Sequence, residues 1–221
     1  ELLEAVTDAQ SNKKYFSSKK VIEGAYLKNN KIYYYDEEII DIKDLKLRGV
    51  HNYENIMASV MGVKEFGCST ESIRKVLKSF MGVEHRLEFV DNINGRIFYN
   101  DTEATNIKCT QIALASFSEP TIVLLGGLER GQNFNDLKPF CDNVKAIVAS
   151  GECKERVKEF GESISVPTYI CDYITDATEK AYEISSPGDV ILLSPGSASW
   201  DQFKQCEDRG ALFKETARSF K

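Results

Sequence analysis

Residues 120–151 read PTIVLLGGLERGQNFNDLKPFCDNVKAIVASG. Two apolar runs, 121–125 and 144–149, stand about twenty residues apart, each ending in glycine or serine-glycine. Neither alternates between apolar and polar residues. An uninterrupted apolar run of this length suits a strand buried on both faces. The DLKPFCDN segment between them is long enough for a short helix, so the stretch is a strand–helix–strand unit of a parallel sheet.

The same alternation continues on both sides. Downstream, CKERVKEFGESIS (153–165) has helical spacing and PTYICD (167–172) is strand-like. TDATEKAYEISS (175–186) is again a helix, with Thr175 as its expected cap, and GDVILLSPG (188–196) is the last buried strand. From Asp201 an amphipathic helix is expected to run to the end. Upstream, NIKCTQIALASF (106–117) reads as a helix, and HRLEFVDNINGRIFYND (85–101) as a β-hairpin turning at Asn94-Gly95, a pair that favours left-handed backbone. Repeated strand–helix units predict an α/β domain with a Rossmann-like parallel sheet between helices.

Before residue 82 the character differs. YLKNNKIYYY (26–35) places two aromatic-rich runs around Asn29-Asn30 and predicts a hairpin. From His51 the period becomes helical, with Ile56, Val60 and Val63 on one face. Gly67 closes that helix. Ser69-Thr70-Glu71 opens a second, in which Ile73, Leu77 and Phe80 share a face. The boundary between the two parts is placed at Gly82.

Composition limits the function. The chain has 221 residues, 42% apolar and 28% charged, with a net charge of -6, an ordinary globular balance. An acidic chain is a poor match for sequence-independent nucleic-acid binding, and no apolar run approaches the length of a membrane span. ELLEAVTDAQ, the first ten residues, lack the basic start and apolar stretch of a secretory signal. Six cysteines include no C-x-x-C pair and only two histidines accompany them, so neither a zinc site nor any other metal site is expected. Free thiols fit a reducing cytoplasm.

In parallel sheets, ligands bind beyond the carboxyl ends of the strands. Three segments lie there. In YNDTEATN (99–106), Asp101 could accept hydrogen bonds from a ribose diol, and Thr102 and Thr105 could face a phosphate at a helix start; plain helix capping is equally consistent. In GGLERGQNF (126–134), the glycines permit close approach to a ligand, and Arg130 could grip a carboxylate or phosphate with two parallel bonds. The spacing is not the dinucleotide fingerprint, and no acidic residue ends the next strand. In SPGSASWDQF (194–203), Ser197, Ser199 and backbone N–H groups could form an anion nest, or simply a tight turn capped by Asp201. No G-x-S-x-G elbow supports a nucleophilic serine. Asn52 and Asn55 share a helix face. No G-x-x-x-x-G-K-[ST] phosphate loop occurs in the chain.

Taken in order, Gly49-Val50-His51-Asn52-x-x-Asn55, Glu84-His85-Arg86-Leu87-Glu88, Tyr99-Asn100-Asp101-x-x-Ala104-Thr105-Asn106, Gly126-Gly127 and Ser194-Pro195 through Ser199-x-Asp201-Gln202-Phe203 resemble the Mur ligases over essentially the whole chain. The likeness is strongest to the member that adds D-glutamate to UDP-N-acetylmuramoyl-L-alanine. It implies that residues 1–82 are the carboxyl-terminal part of the central, ATP-binding domain and 83–221 the Rossmann-like carboxyl-terminal domain. The phosphate loop, a carbamoylated lysine and the uridine-binding domain would precede residue 1. The resemblance implies nucleotide contacts from Asn52, Asn55, Arg86, Asp101 and Thr105, D-glutamate contacts from Arg130, Ser199 and Trp200, and a hinge around Gly82 and His85. ATP and magnesium would be bound mainly outside this chain, which would hold no certain catalytic residue, act as a monomer, and not turn over alone.

The implied reaction forms an acyl phosphate on the alanine carboxylate, which the amine of D-glutamate attacks. The family usually has lysine where this chain has Glu103, lysine where it has Arg130, and an aromatic residue where it has Cys206. Two alternatives remain open: a non-catalytic ligand-binding or interaction module with the same fold, and a sister ligase that adds another amino acid.

Overall fold

The computed structural model describes residues 12–221. The reading of ELLEAVTDAQ falls outside the described residues. The chain divides into two compact units, one of residues 12–46 and 50–80, the other of 47–49 and 81–221.

The first unit is a four-stranded sheet carrying two helices. Strands β1 (Tyr15–Ser17), β2 (Gly24–Lys28), β3 (Lys31–Tyr34) and β4 (Glu37–Asp41) lie in sequence order. The first pair is parallel and the others antiparallel. Asn29 and Asn30 adopt φ of 49° and 60°, which makes the tight turn between β2 and β3 that the Asn pair predicts. Helix α1 (Val50–Glu65) packs on β2 and β3, and α2 (Thr70–Ser79) on β4. Ser69 caps α2 by accepting the Ser72 N–H at 3.2 Å. The buried face of α1 is Ile56, Met57, Val60 and Met61, while Val63 is 38% exposed. The expected face is therefore rotated, because adjacent methionines fill the groove over the sheet. Phe80 likewise leaves the expected face of α2. It ends the helix in an extended conformation and is largely exposed.

The second unit holds the predicted parallel sheet. Its elements are β5 (Glu88–Ile93), β6 (Arg96–Asn100), α3 (Ile107–Leu114), β7 (Thr121–Gly126), a 3-10 helix (Phe134–Phe140), β8 (Val144–Ser150), α4 (Lys154–Ser163), β9 (Thr168–Ile170), α5 (Ile174–Ile184), β10 (Val190–Leu193) and α6 (Cys206–Arg218). The strand order is β5-β6-β10-β7-β8-β9. Only the β5–β6 hairpin is antiparallel, turning at Asn94 and Gly95 with positive φ. Pleating explains the continuous apolar runs. Val123, Leu125, Ile147 and Leu192 face a layer that includes Leu114, Leu137, Val157 and Phe160. Their neighbours Ile122, Leu124, Val148 and Ile191 face Ile174, Ala177, Phe213 and Ala217 on the other side. Both faces are dry, so both registers must be apolar.

Two element boundaries differ from the sequence reading. Helix α5 begins at Ile174 after Tyr173, and Thr175 lies inside the first turn rather than capping it. The last helix begins at Cys206, not Asp201, because the Gln202 and Phe203 N–H groups turn back to Ser199 O at 3.0 and 2.8 Å. Its buried face is not simply apolar: it carries Arg209 and Lys214 beside Phe213 and Ala217.

Candidate functional site

Strand order brings the loops after β6, β10 and β7 side by side at one edge of the sheet. Hydrogen bonds between backbone groups join them. Gly196 N donates to Ala104 O at 2.9 Å, Gly126 N to Pro195 O at 2.9 Å, and Leu128 N to Ala198 O at 2.8 Å. The three segments singled out from sequence are thus one surface.

Asp101 stands at the end of β6 and is 9% exposed. Its Oδ1 accepts the Leu87 N–H at 3.0 Å and its Oδ2 the Ser194 hydroxyl at 2.9 Å. Burial outweighs these two donors and pushes its pKa up to about 6. Next to it, Thr102 is fully buried, and its hydroxyl is taken: it donates to Cys206 O at 2.8 Å and accepts from Arg209 Nε at 3.0 Å. The suggestion that Thr102 faces a phosphate is corrected accordingly. Thr105 is exposed, one residue before Asn106, which caps α3. Arg86 is exposed and its Nη2 lies 3.2 Å from Glu103.

His85 is buried inside the second unit in left-handed backbone, φ 67°. Its Nδ1 lies 2.9 Å from Asn100 Nδ2. Asn100 also donates to Glu88 at 3.0 Å, and Glu88 receives Lys214 Nζ at 3.1 Å. Gly82, three residues earlier, has φ 100°. In the first unit, Asn52 is half-buried and Asn55 exposed, both on α1.

Arg130 and Trp200 come together. The guanidinium lies 5.4 Å from the centroid of the indole, and Trp200 is 63% exposed. Stacking on an aromatic face leaves the edge of the guanidinium, with its N–H fork, free for a planar anion. Ser199 is buried beside Trp200, and its Oγ has no partner among the described residues. An open cleft of about 480 Å³, lined in part by Leu128, Glu152, Lys154, Asp172 and Gln202, adjoins this loop.

Sequence reasoning missed Arg209, which underlies the surface. It is 4% exposed, and Nη2 donates to Thr102 O at 3.0 Å and to Ser197 O at 3.1 Å. No carboxylate pairs with it among the described residues, and burial lowers its pKa to about 10. Its Nη1 and Ser199 Oγ are buried polar atoms without partners among the described residues. In QCEDRG nothing local separates Arg209 from a solvated helix arginine. Glu103 and Cys206, two departures from the family pattern, lie together: with Glu207 they bring three donor atoms within 4.8 Å of one another. A thiol beside two carboxylates does not suit a hard cation such as magnesium. All six cysteines are free, and no helix among the described residues is long and apolar enough to cross a membrane.

No family model matches the chain. Curated relatives do match. The chain is 44% identical over 93% of its length to the UDP-N-acetylmuramoylalanine–D-glutamate ligase of Bacillus subtilis (strain 168), covering 46% of that protein. It is 44% identical over its whole length to the ligase of the same name from Geobacillus kaustophilus, covering 49% of it. Along its length the chain is similar to Mur ligases. It spans about half the length of the curated relatives it matches. Its fold is also that of the Mur ligases: the crystal structure of MurF ligase from Thermotoga maritima in complex with ADP superposes with a TM-score of 0.62 at 14% identity, over 98% of this chain and 52% of that one.

Proposed function

We propose that this chain is the carboxyl-terminal half of an ATP-dependent ligase that joins D-glutamate to UDP-N-acetylmuramoyl-L-alanine, as in peptidoglycan precursor synthesis in the cytoplasm. The observation that carries this reading is 44% identity, over 93% and 100% of the chain, to two ligases of that name. On this reading residues 1–82 belong to the ATP-binding domain and 83–221 to the domain that presents the incoming amino acid.

The residues present fit an acidic amino acid. Arg130, braced by Trp200, would take one carboxylate through its fork. Ser199 Oγ, buried and without a partner among the described residues, would donate to the ligand from the adjoining loop. Held at two points, the amine is presented at a fixed angle, and such positioning is the main contribution protein makes to acyl transfer of this kind. For ATP, the second unit offers Asp101, Arg86 and Thr105, and the first unit, taken by itself, offers the amides of Asn52 and Asn55. ATP, when bound, would supply the phosphoryl group that activates the alanine carboxylate. Magnesium does not fit the one donor cluster found among the described residues.

A titration of D-glutamate into the chain, followed by NMR or calorimetry with L-glutamate as control, tests the reading. Stereoselective binding is expected, weakened roughly 10- to 100-fold by Arg130→Ala, as for loss of hydrogen bonds to a charged group. Equal binding of both enantiomers, or an Arg130→Ala chain that binds D-glutamate unchanged, would sink it.

A further inference from the structure

Gln132 lies in the glycine loop and uses both ends of its amide. Its Oε1 accepts the Arg130 N–H at 2.9 Å. Its Nε2 donates to Leu128 O at 3.2 Å and to Ser197 Oγ, with Cys153 Sγ at 3.5 Å. The Gln132 carbonyl is itself held by Arg156 Nη2 at 2.6 Å. Arg156 also pairs with Glu129, and Glu129 accepts the Gly131 N–H at 2.7 Å. Across the gap, the Ser197 carbonyl is fixed by Arg209 at 3.1 Å. One side chain therefore spans from the loop bearing Arg130 to the loop bearing Ser199 and Trp200, and both anchor points are themselves secured.

We infer that Gln132 is a positioning residue: it sets where Arg130 stands against Trp200 and Ser199, and through Arg130 it sets the affinity of the site for a dicarboxylic amino acid. The inference rests on the ligand reading given above. The backbones of the two loops meet where Leu128 N donates to Ala198 O at 2.8 Å, and the Gln132 side chain ties the loops beyond that bond. A primary amide can accept from one group and donate to two others at once. Glutamate at this position would keep the acceptor for Arg130 N–H but lose both donors and set a charge against the Leu128 carbonyl. Asparagine is one methylene too short to reach both loops.

The test uses the whole 221-residue chain and the variants Gln132→Ala, Gln132→Glu, Arg130→Ala and the Gln132→Ala/Arg130→Ala double variant. The first readout is exchange of the Arg130 amide proton in the ligand-free chain, followed by NMR. Gln132→Ala is expected to accelerate it about tenfold or more, as for a lost local hydrogen bond, and Gln132→Glu, which keeps the acceptor, less than that, while β7 amides stay protected. The second readout is the D-glutamate dissociation constant. Gln132→Ala is expected to weaken binding about tenfold in the presence of Arg130 and hardly at all in its absence, since a residue that acts through another is non-additive with it. A merely structural role would give equal losses on both backgrounds, and that result overturns the inference, as does an unchanged Arg130 exchange rate. A wild-type chain that does not bind D-glutamate overturns the ligand reading and the affinity claim with it, and the exchange rate then decides whether Gln132 fixes the loop.

Discussion

Two residues show how the loop cluster is held from beneath. Arg209 satisfies Thr102 Oγ1, Thr102 O and Ser197 O at 3.0–3.1 Å. Replacing it with methionine keeps the volume and strands three buried acceptors. Urea unfolding should show a loss of about 2–4 kcal/mol, because each orphaned buried group costs about 1–3 kcal/mol and some will relax toward water. A variant as stable as wild type would mean the guanidinium's desolvation cancels its bonds. Above it, Gly127 adopts φ 140°, and a Cβ there would collide with the Ala198 carbonyl and sit 3.1 Å from Arg209 Nη1. Gly127→Ala combines strained backbone with overpacking against another loop, and should cost about 3 kcal/mol in the same measurement. The glycine pair was legible in the sequence as a place of close approach. That it approaches a buried arginine was not.

At the level of elements, capping separates local from imposed starts. Asn106 accepts the Cys109 N–H at 3.0 Å and starts α3 from its own side chain. Asn106→Ala should lower stability by about 1 kcal/mol. Among the described residues helix α5 has no side-chain cap, and Thr175 donates to Asp176 at 3.4 Å. Thr175→Ala should stay within about 0.5 kcal/mol of wild type, as for a surface change. Denaturant midpoints of the two variants check both, and a Thr175 loss as large as that at Asn106 would restore the capping role inferred from sequence. The strands were legible because their apolar runs are too short for helices and too continuous for one-sided sheets. The starts of α5 and α6 were not, because packing on the sheet, rather than a cap residue, sets where those helices begin.

For the folded molecule, Asp101 ties stability to pH. Burial raises its pKa from 3.8 to about 6. Between those values the native state keeps a proton that the unfolded chain has released. The stabilisation is therefore present at low pH and lost as pH rises from about 4 through 6. A shift of this size corresponds to about 3 kcal/mol. Asp101→Asn removes the titration and keeps an acceptor. The stability of wild type relative to that variant should fall by about this amount between pH 4 and pH 7 in urea unfolding at stepped pH. A difference that does not change with pH would show that Asp101 remains ionised throughout.

The α/β class, the two hairpins and the three segments at the strand ends were all determined by local sequence. Each rests on periodicity, turn residues or short spacing, and those act over a few neighbours. Tertiary structure decided which polar groups meet. Ser194 reaches Asp101 across 93 positions, and Arg209 reaches Thr102 across 107. Those contacts exist because β10, the last strand in sequence, pairs between β6 and β7. Apolar runs drive strands into a sheet without naming their neighbours, so the insertion, and with it the joining of three loops into one surface, is a property of the packed fold alone.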